Sequence, residues 1–375
     1  MLLIKNGLIF TMEAESPFYG DILCNEGKIA RIADNIIADG QMEVLDVKGF
    51  LVLPGFIDAH SHIGIQEEKN SKQGDDCNEG TNPLTPCLRA IDAINPMDSA
   101  FHNALATGIT GVMVGPGSAN PIGGQFAFIK TEGRRIDDMT VLAPAAIKIA
   151  FGENPKFNYG INGNMPSTRM GIAYLIREEL FNARSYFDGG SSNDFRTECY
   201  RELFEGRIPL KAHVHRADDI FTAIRIAKEF GLGLTLDHCT EGHLIAEDIA
   251  KSGFPAILGP SLASRSKLEV SESDFKTAGI LKKAGVTLAI TTDHPVSRIQ
   301  YLPMCASLAA MEGLGEKEAL RAITIDAAKI CRVDDRLGSL RVGKDADMAI
   351  YSGNPLEISA KVRYTVINGR IVWPK

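Results

Sequence analysis

Two histidines separated by one residue are the first arrangement in this sequence that could bind a metal ion. His60 and His62 lie in the run PGFIDAHSH at residues 54–62, which follows an apolar segment. If residues 56–62 form a strand, its side-chain period of two places both imidazoles on one face. A rigid strand end that presents two imidazoles is suited to hold one divalent cation. A bare His-x-His pair is also consistent with two buried, hydrogen-bonded histidines, so later residues must decide between these interpretations.

Further polar side chains recur where later apolar segments are predicted to end. His213 and His215 repeat the His-x-His spacing, His238 ends the next apolar run and Asp293 ends another. Because one site cannot use every imidazole, we expect one member of the second pair to be a ligand and the other a polar neighbour. The Asp293 carboxylate could bind a cation and accept a proton from water. It could instead cap a helix or a turn.

The segments that must position these residues alternate between strand-like and helix-like patterns, which is typical of a parallel sheet with crossover helices. The predicted strands cover residues 56–62, 111–114, 126–131, 143–150, 209–215, 233–238, 256–258 and 286–293. The predicted helices cover residues 96–106, 169–183, 217–230, 241–252 and 271–284. Such a set favours a (β/α)8 TIM barrel, whose strand ends meet on one face. An open doubly wound sheet is the alternative, but no glycine-rich phosphate loop follows any strand.

Both ends of the chain are predicted to form short strands joined by turns. These strands cover residues 2–4, 8–12, 22–25 and 28–33 at one end and residues 346–351, 364–367 and 370–373 at the other. The dipeptide Asn368-Gly369 indicates a hairpin. Neither end has enough apolar residues to form its own core, so we expect the two to pack into one small β-sandwich. The predicted domains are 1–52 and 336–375 for the sandwich and 53–335 for the barrel.

Two long polar connections, residues 65–93 and 152–168, follow predicted strand ends. Loops of this length are usually functional or disordered. In a barrel they would overhang the face that carries active sites, so we expect them to border the site.

Composition and charge exclude several classes of function. The net charge is −7 without a basic block, which disfavours binding to nucleic acid or to an anionic membrane surface. No apolar run approaches the length of a membrane span, and the first six residues do not resemble a signal peptide. The seven cysteines are scattered without a Cys-x-x-Cys pair, which is typical of a reduced chain rather than a disulfide scaffold. We therefore predict a cytoplasmic protein that acts on a small molecule.

The run at residues 54–62 resembles the first-strand motif of the amidohydrolase superfamily of metal-dependent hydrolases. His213, His238 and Asp293 fall in that family's order of ligands on strands five, six and eight. The run LGSLRVGKDAD at residues 337–347 resembles the family's second β domain. The resemblance spans essentially the whole chain and is greatest to the imidazolonepropionase-like and Xaa-Pro-dipeptidase-like branch. It also implies a homo-oligomer.

The resemblance implies a set of metal ligands from five barrel strands. Family members often bridge two metals with a carboxylated lysine on strand four, and Lys148 in the run AIKIA is the matching residue. A lysine in an apolar strand is otherwise unfavourable unless it reaches solvent or pairs with a carboxylate. Imidazolonepropionases hold one metal without such a lysine, so one ion and two ions both stay open. Zinc is expected, with manganese or iron as alternatives, and the implied ligands are His60, His62, Lys148, His213, His238 and Asp293.

The implied reaction is hydrolysis of a C–N bond in an amide, cyclic amide or dipeptide. The metal lowers the pKa of a bound water molecule to about 7 and polarises the scissile carbonyl. Asp293 then takes the proton of that water and passes it to the leaving nitrogen. The alternative is a mononuclear deaminase or an imidazolone-type ring-opening hydrolase. His215, Arg216 and Asn154 are predicted to contact the substrate, whose identity no residue reveals.

Overall fold

A computed structural model describes residues 1–69, 72–190 and 193–374. Within these residues the strands form two sheets of eight strands each. In chain order the strands are β1 (Leu2–Ile9), β2 (Phe18–Asn25), β3 (Lys28–Ala33), β4 (Glu43–Asp46), β5 (Leu51–Pro54), β6 (Phe56–Ser61), β7 (Ile109–Val114), β8 (Ile122–Lys130), β9 (Thr140–Ala150), β10 (Leu210–Val214), β11 (Leu234–His238), β12 (Ala256–Leu258), β13 (Leu288–Ile290), β14 (Met348–Tyr351), β15 (Val362–Ile367) and β16 (Arg370–Trp373).

The α-helices lie almost entirely between the strands of the second sheet and after it. They are α1 (Ser99–Leu105), α2 (Ile136–Met139), α3 (Glu153–Gly160), α4 (Arg169–Asp188), α5 (Phe195–Glu198), α6 (Arg201–Phe204), α7 (Ala217–Phe230), α8 (Ala246–Ser252), α9 (Lys276–Lys283), α10 (Leu302–Ala309), α11 (Glu316–Ala322) and α12 (Ile325–Ile330). Among the described residues, none of these helices combines the length and the apolar character that crossing a membrane requires.

Strands β6 to β13 follow one another in chain order around a barrel. Its first and last strands meet through a buried carboxylate, since Asp58 of β6 accepts hydrogen bonds from Thr291 Oγ1 at 2.5 Å and Thr292 Oγ1 at 2.5 Å. The backbone N–H of His62 also donates to the carbonyl of His294 at 2.9 Å. The predicted barrel with an additional β unit built from both ends of the chain is confirmed.

The second β unit joins the two ends of the chain in one sheet. Its strand order is β16-β15-β14-β5-β1-β2-β3, with β4 beside β1, and β14 runs antiparallel to β5. Only Gly55 separates β5 of this sheet from β6 of the barrel. Lys130 of β8 forms ion pairs with Asp345 at 2.8 Å and Asp347 at 3.0 Å, so the barrel is tied to the segment that leads into β14. The exact domain boundaries stay a prediction.

Strand β8 differs from the all-parallel arrangement that the sequence predicted. It pairs antiparallel with both β7 and β9, whereas β6–β7 and the pairs from β9 to β13 are parallel. A parallel crossover needs a dozen or more residues, usually including a helix. The connections 115–121 and 131–139 are too short for that, so the chain reverses at each of them.

Helix α7 shows how the sequence sets the bounds of the elements around the barrel. Asp218 and Asp219 occupy its first turn, where carboxylates interact favourably with the helix dipole. Gly231 ends it with φ of 65°, a left-handed conformation that glycine adopts without a steric penalty. Apolar residues at helical spacing, such as Ile220 and Ala227, are buried against the sheet. The predicted range 217–230 is therefore the observed one.

The expectation of a chain without disulfides is wrong at one pair of cysteines. Cys87 lies in the first long connection and Cys199 follows α5, and the structure joins them in a disulfide across a sequence separation of 112 residues. Cysteine spacing could not reveal this pair, because only the folded chain brings the two segments together. The other five cysteines are free and buried.

Gly55, which connects β5 of one sheet to β6 of the other, provides a test of the fold. A Cβ atom at Gly55 would lie 2.7 Å from Cβ of the buried Thr110, which cannot move away by rotation of its side chain. We expect Gly55→Ala to lower the free energy of unfolding by about 1–3 kcal/mol, as overpacking does elsewhere. The midpoint of urea unfolding measures the change.

Gly40→Ala is the matched control, because nothing lies within 4 Å of a Cβ atom at that exposed position. Its effect should stay within about 0.5 kcal/mol. Equal midpoints for the two variants would contradict the close approach of Gly55 to Thr110 of β7.

Candidate active site

The histidines and the aspartate singled out from the sequence meet at the carboxyl ends of the barrel strands. The ligand atoms of His60, His62 and Asp293 all lie within 4.8 Å of one another. Those of His213, His215 and His238 form a second group of the same kind, and all six residues are buried. The ring centroids of His60 and His238 are 5.1 Å apart, so the two groups adjoin.

Most of these imidazoles are held by hydrogen bonds at the nitrogen that faces away from the shared space. A backbone carbonyl or an ionised carboxylate can only accept, so the Nδ1 atom opposite it must donate, and in a neutral ring Nε2 then keeps its lone pair. These contacts are His60 Nδ1 to Asp237 Oδ2 at 2.7 Å, His62 Nδ1 to the Gly115 carbonyl at 2.7 Å and His238 Nδ1 to the Gly259 carbonyl at 2.6 Å. His215 Nδ1 lies 2.7 Å from Thr240 Oγ1, a hydroxyl that can donate or accept.

When the rings are neutral, this arrangement leaves acceptor atoms facing one another without a proton between them. His62 Nε2 lies 3.2 Å from Asp293 Oδ1, and His60 Nε2 lies 3.4 Å from the same oxygen. Asp293 Oδ1 and His213 Nε2 are both buried without a hydrogen-bond partner. Opposed lone pairs in a buried space repel unless a proton or a cation lies between them.

Burial and charge set the protonation of these groups. Burial, together with nearby cationic groups, holds the pKa of His60 and that of His213 well below the ordinary value, so both are neutral at pH 7. Burial also acts against a charged His62, but the Cys77 thiol and Asp293 outweigh it and raise the pKa of His62 to about 10. Without a cation, a proton on His62 therefore offsets the charge of Asp293.

Two of the site residues have a strained backbone. His238 has φ of 75° and Asp293 has φ of 53°, in the left-handed region that residues other than glycine rarely adopt. Such conformations cost about 1–3 kcal/mol each and persist where the surrounding structure imposes them. At His238 the turn redirects the chain as β11 ends, so that the adjacent residues Asp237 and His238 both reach the interior of the barrel.

Lys148 and Lys211 lie side by side on β9 and β10 inside the barrel. Both Nζ atoms are 5.4 Å from the ring of Phe126, which forms the floor of the site. Lys148 Nζ lies 3.4 Å from His60 Nε2. Burial lowers the pKa of Lys148 to about 8, although Asp237 and Asp293 act in the opposite direction. Near physiological pH Lys148 is therefore mostly protonated, with a minor population of neutral amine.

Lys211 points into the barrel rather than toward the surrounding helices. Its Nζ donates to the Ala59 carbonyl at 2.9 Å and lies 3.2 Å from Asp237 Oδ2. The physical reason is the strand period of two, which puts Lys211 on the same face as His213.

A cavity of about 270 Å³ opens above the histidines. Both long connections border it, as predicted, through Cys77 and Asn78 of the first and Asn154 of the second. The Asn154 amide donates to Ser118 Oγ at 2.7 Å. His215 also lines the cavity. Arg216 lies outside it, where the guanidinium donates to both carboxylate oxygens of Asp218 at 3.0 and 3.1 Å.

Glu269 is a buried residue beside the histidines that sequence reasoning missed, and its Oε1 lies 3.9 Å from Nε2 of His213 and 3.9 Å from Nε2 of His215. Its carboxylate accepts from the backbone N–H of Glu153 at 2.8 Å, and its own N–H donates to Glu153 Oε1 at 3.1 Å. It also pairs with Lys267, which donates to Asn154 Oδ1 at 2.9 Å. This reciprocal contact joins the loop after β9 to the loop after β12. No periodic pattern marks a glutamate in a polar loop, so the sequence held no signal for it.

Asp58 and Asp237 were also missed, although each carried a signal. Both are carboxylates that directly follow an apolar residue within a strand, and both are fully buried. A buried carboxylate needs partners, which predicts a supporting role near the histidines beside it in sequence. Burial raises the pKa of Asp58 to about 6, despite the hydrogen bonds from Thr291 and Thr292.

Comparisons with known proteins show which family this chain is similar to. A family model described as the amidohydrolase family matches residues 256–373. The amidohydrolase tasK of Hapsidospora irregularis is 26% identical over 420 residues, which cover 98% of this chain and 42% of that protein, so the chain spans less than half of that relative. The imidazolonepropionase of Picrophilus torridus is 26% identical over 403 residues, with 98% of this chain and 97% of that protein covered.

Solved structures agree with this likeness. The crystal structure of an amidohydrolase from Thermotoga maritima MSB8 has a TM-score of 0.96 and 40% sequence identity, and the match covers 100% of both chains. A Xaa-Pro dipeptidase with bound methionine has a TM-score of 0.62 over 99% of both chains. At 18% identity, this second likeness is one of fold alone.

The contact between Glu153 and Glu269 can be tested by proteolysis. Glu269→Gln keeps the side-chain size but loses the charge that holds Lys267 and weakens the link between the two loops. We expect trypsin to cleave after Arg265 and Lys267 several-fold faster than in the unaltered protein, as measured by mass spectrometry of the fragments. The exposed Glu272→Gln is the matched control. Unchanged cleavage of Glu269→Gln would show that the contact does not hold these loops.

Proposed function

The chain belongs to the amidohydrolase superfamily and is a hydrolase of C–N bonds, and we propose that it acts with metal-activated water on an amide, cyclic amide or dipeptide. The observation that carries this proposal is the opposition of His62 Nε2 and Asp293 Oδ1 at 3.2 Å inside a buried group of imidazoles. The proposed ligands are those expected from the sequence: His60, His62, Lys148, His213, His238 and Asp293.

The residues present fit a divalent cation. Two of their acceptor atoms, His213 Nε2 and Asp293 Oδ1, are buried and otherwise unpaired. Imidazole nitrogens and carboxylate oxygens suit zinc, with manganese and iron as alternatives. When bound, such an ion lowers the pKa of water and polarises a carbonyl group.

Asp293 is the proposed acceptor of the proton from water and its donor to the leaving nitrogen. Burial raises the pKa of this carboxyl, but His238 and His62 hold it below its ordinary value, so the group is ionised at neutral pH and able to accept a proton. Its left-handed backbone brings the carboxylate into the cavity that His215 and Asn154 also line. These two residues are the proposed substrate contacts. Arg216 would have to break its hydrogen bonds to Asp218 before it could contact the substrate.

Lys148 is the proposed site of carboxylation. Only a neutral amine can react with carbon dioxide, and the lowered pKa of Lys148 supplies that form. The product would give the site an anionic oxygen ligand between the two histidine groups. The likeness to an imidazolonepropionase favours a second candidate, a ring-opening hydrolase or deaminase with one ion and an unmodified lysine. A cytoplasmic location and assembly as a homo-oligomer stay predictions.

The number of ions per chain distinguishes the two candidates. We expect the zinc-loaded protein to hold two ions per chain in the presence of bicarbonate and Lys148→Met to hold one, as measured by elemental analysis. Lys251→Met, which alters a lysine with 72% of its side chain exposed, is the control and should keep both ions. Two ions in Lys148→Met would refute the role of this lysine. One ion in the unaltered protein, with or without bicarbonate, would favour the mononuclear hydrolase.

The role of Asp293 can be tested on any substrate found in a screen of dipeptides, N-acyl amino acids and cyclic amides. We expect Asp293→Asn to lower kcat by about 10²–10⁴, the usual contribution of a general acid and base. Asp274→Asn is the control, because Asp274 also lines the cavity but hydrogen-bonds to Lys276. Metal content is measured in parallel. An Asp293→Asn protein with full activity would exclude this residue as the proton carrier.

A further inference from the structure

His60 is held differently from the other histidines of the site. His62 and His238 donate from Nδ1 to backbone carbonyls, and the Nδ1 partner of His215 is a threonine hydroxyl. Among the described residues of the site, His60 alone has a carboxylate at hydrogen-bond distance from Nδ1, namely Asp237 Oδ2 at 2.7 Å. Its other nitrogen also faces a carboxylate, because Nε2 lies 3.4 Å from Asp293 Oδ1.

Two carboxylates therefore compete for the single ring proton of a neutral His60. With the proton on Nδ1, the ring donates to Asp237 and Nε2 presents a lone pair to the space beside His62 and Asp293. With the proton on Nε2, the ring would donate to Asp293 and fill that space. Only the first tautomer can ligate a cation there.

The surroundings of Asp237 favour the first tautomer. Asp237 is fully buried and accepts from Thr235 Oγ1 at 2.9 Å. Its charge is matched by Lys211, whose Nζ lies 3.3 Å from Oδ1 and 3.2 Å from Oδ2. An ionised carboxylate cannot donate, so the proton between it and His60 must belong to the histidine.

Lys211 also ties this group to the strand that carries His60. Its Nζ donates to the carbonyl of Ala59, the residue before His60, at 2.9 Å. With 1% of its surface exposed, Lys211 does not lie where a substrate could reach it. Asp237 is likewise absent from the cavity wall. The two residues contact the histidine and its strand rather than the reacting atoms.

We infer that Asp237 and Lys211 are positioning residues, which fix His60 as the tautomer with a proton on Nδ1 and its lone pair on Nε2 directed at the cation. In relation to the cation, this inference rests on the proposed function. The tautomer itself does not, because it is a property of the metal-free protein.

The first experiment measures the tautomer in metal-free protein labelled with ¹⁵N at histidine, from long-range ¹H–¹⁵N correlations of the imidazole rings. The His60 signals are assigned by their loss in His60→Gln. We expect protonated Nδ1 and unprotonated Nε2 in the unaltered protein. Asp237→Asn should shift His60 to the other tautomer or to a mixture, because an amide NH₂ group can face Nδ1 as a donor.

The second experiment measures zinc affinity by competition with a chelator. Outer hydrogen-bond partners of ligating histidines typically contribute about 10- to 100-fold in metal affinity, and we expect a loss of this size in Asp237→Asn. Thr235→Val is the matched control, since it removes one hydrogen bond to Asp237 but leaves the carboxylate, and its affinity should change less than about three-fold. Lys211→Arg should retain more affinity than Lys211→Met.

If Asp237→Asn fails to fold, the double variant Lys211→Gln/Asp237→Asn replaces it in both experiments. The double variant removes the charge of Lys211, which Asp237→Asn leaves buried without a partner, and it still lacks the carboxylate of Asp237. An unchanged His60 tautomer in either folded variant, with zinc affinity within two-fold of the unaltered protein, would overturn the inference. Absence of zinc binding in the unaltered protein would instead refute the proposed function, and the tautomer would still decide the role of Asp237.

Discussion

Histidines buried together at one end of a barrel are constrained to keep neutral rings, with the ring proton turned away from the neighbouring rings, unless a carboxylate stabilises the charged form as Asp293 does for His62. Burial disfavours the charged imidazole, and the closeness of the rings disfavours it further. The protein meets this constraint by giving His60, His62 and His238 an acceptor at Nδ1. The inward nitrogens then form a set of lone pairs, which has the character of a metal site before any metal is present.

The barrel supplies these acceptors through its topology. The carbonyl of Gly115 follows β7 and that of Gly259 follows β12, so two histidines depend on strands other than their own. The buried carboxylate of Asp58 holds the barrel edges together only two residues from His60. Antiparallel β8 contributes the ring of Phe126 as the floor beneath the lysines. Some of the residues that close the barrel therefore also lie beside the residues of the site.

Much of this architecture could be predicted from the sequence, because apolar periodicity and turn residues are local signals. The ranges of β12 and α7 were predicted correctly, and the histidines at the strand ends were correctly expected to meet. The antiparallel direction of β8 was not predicted, since it depends on whether the connections on either side of the strand are long enough to cross the sheet. The Cys87–Cys199 disulfide depends on tertiary contact alone. Asp237 escaped prediction because alternation places neighbouring residues on opposite faces, and the left-handed backbone at His238 breaks that rule.

In the proposed site, lone pairs from distant strands converge on a cation. A crystal structure of the zinc-loaded protein, with anomalous diffraction data collected on both sides of the zinc absorption edge, tests this convergence. We expect an anomalous peak about 2.0–2.2 Å from Nε2 of His60, Nε2 of His62 and a carboxylate oxygen of Asp293. Zinc bound only at other positions, with the space between these three side chains filled by solvent alone, would contradict it.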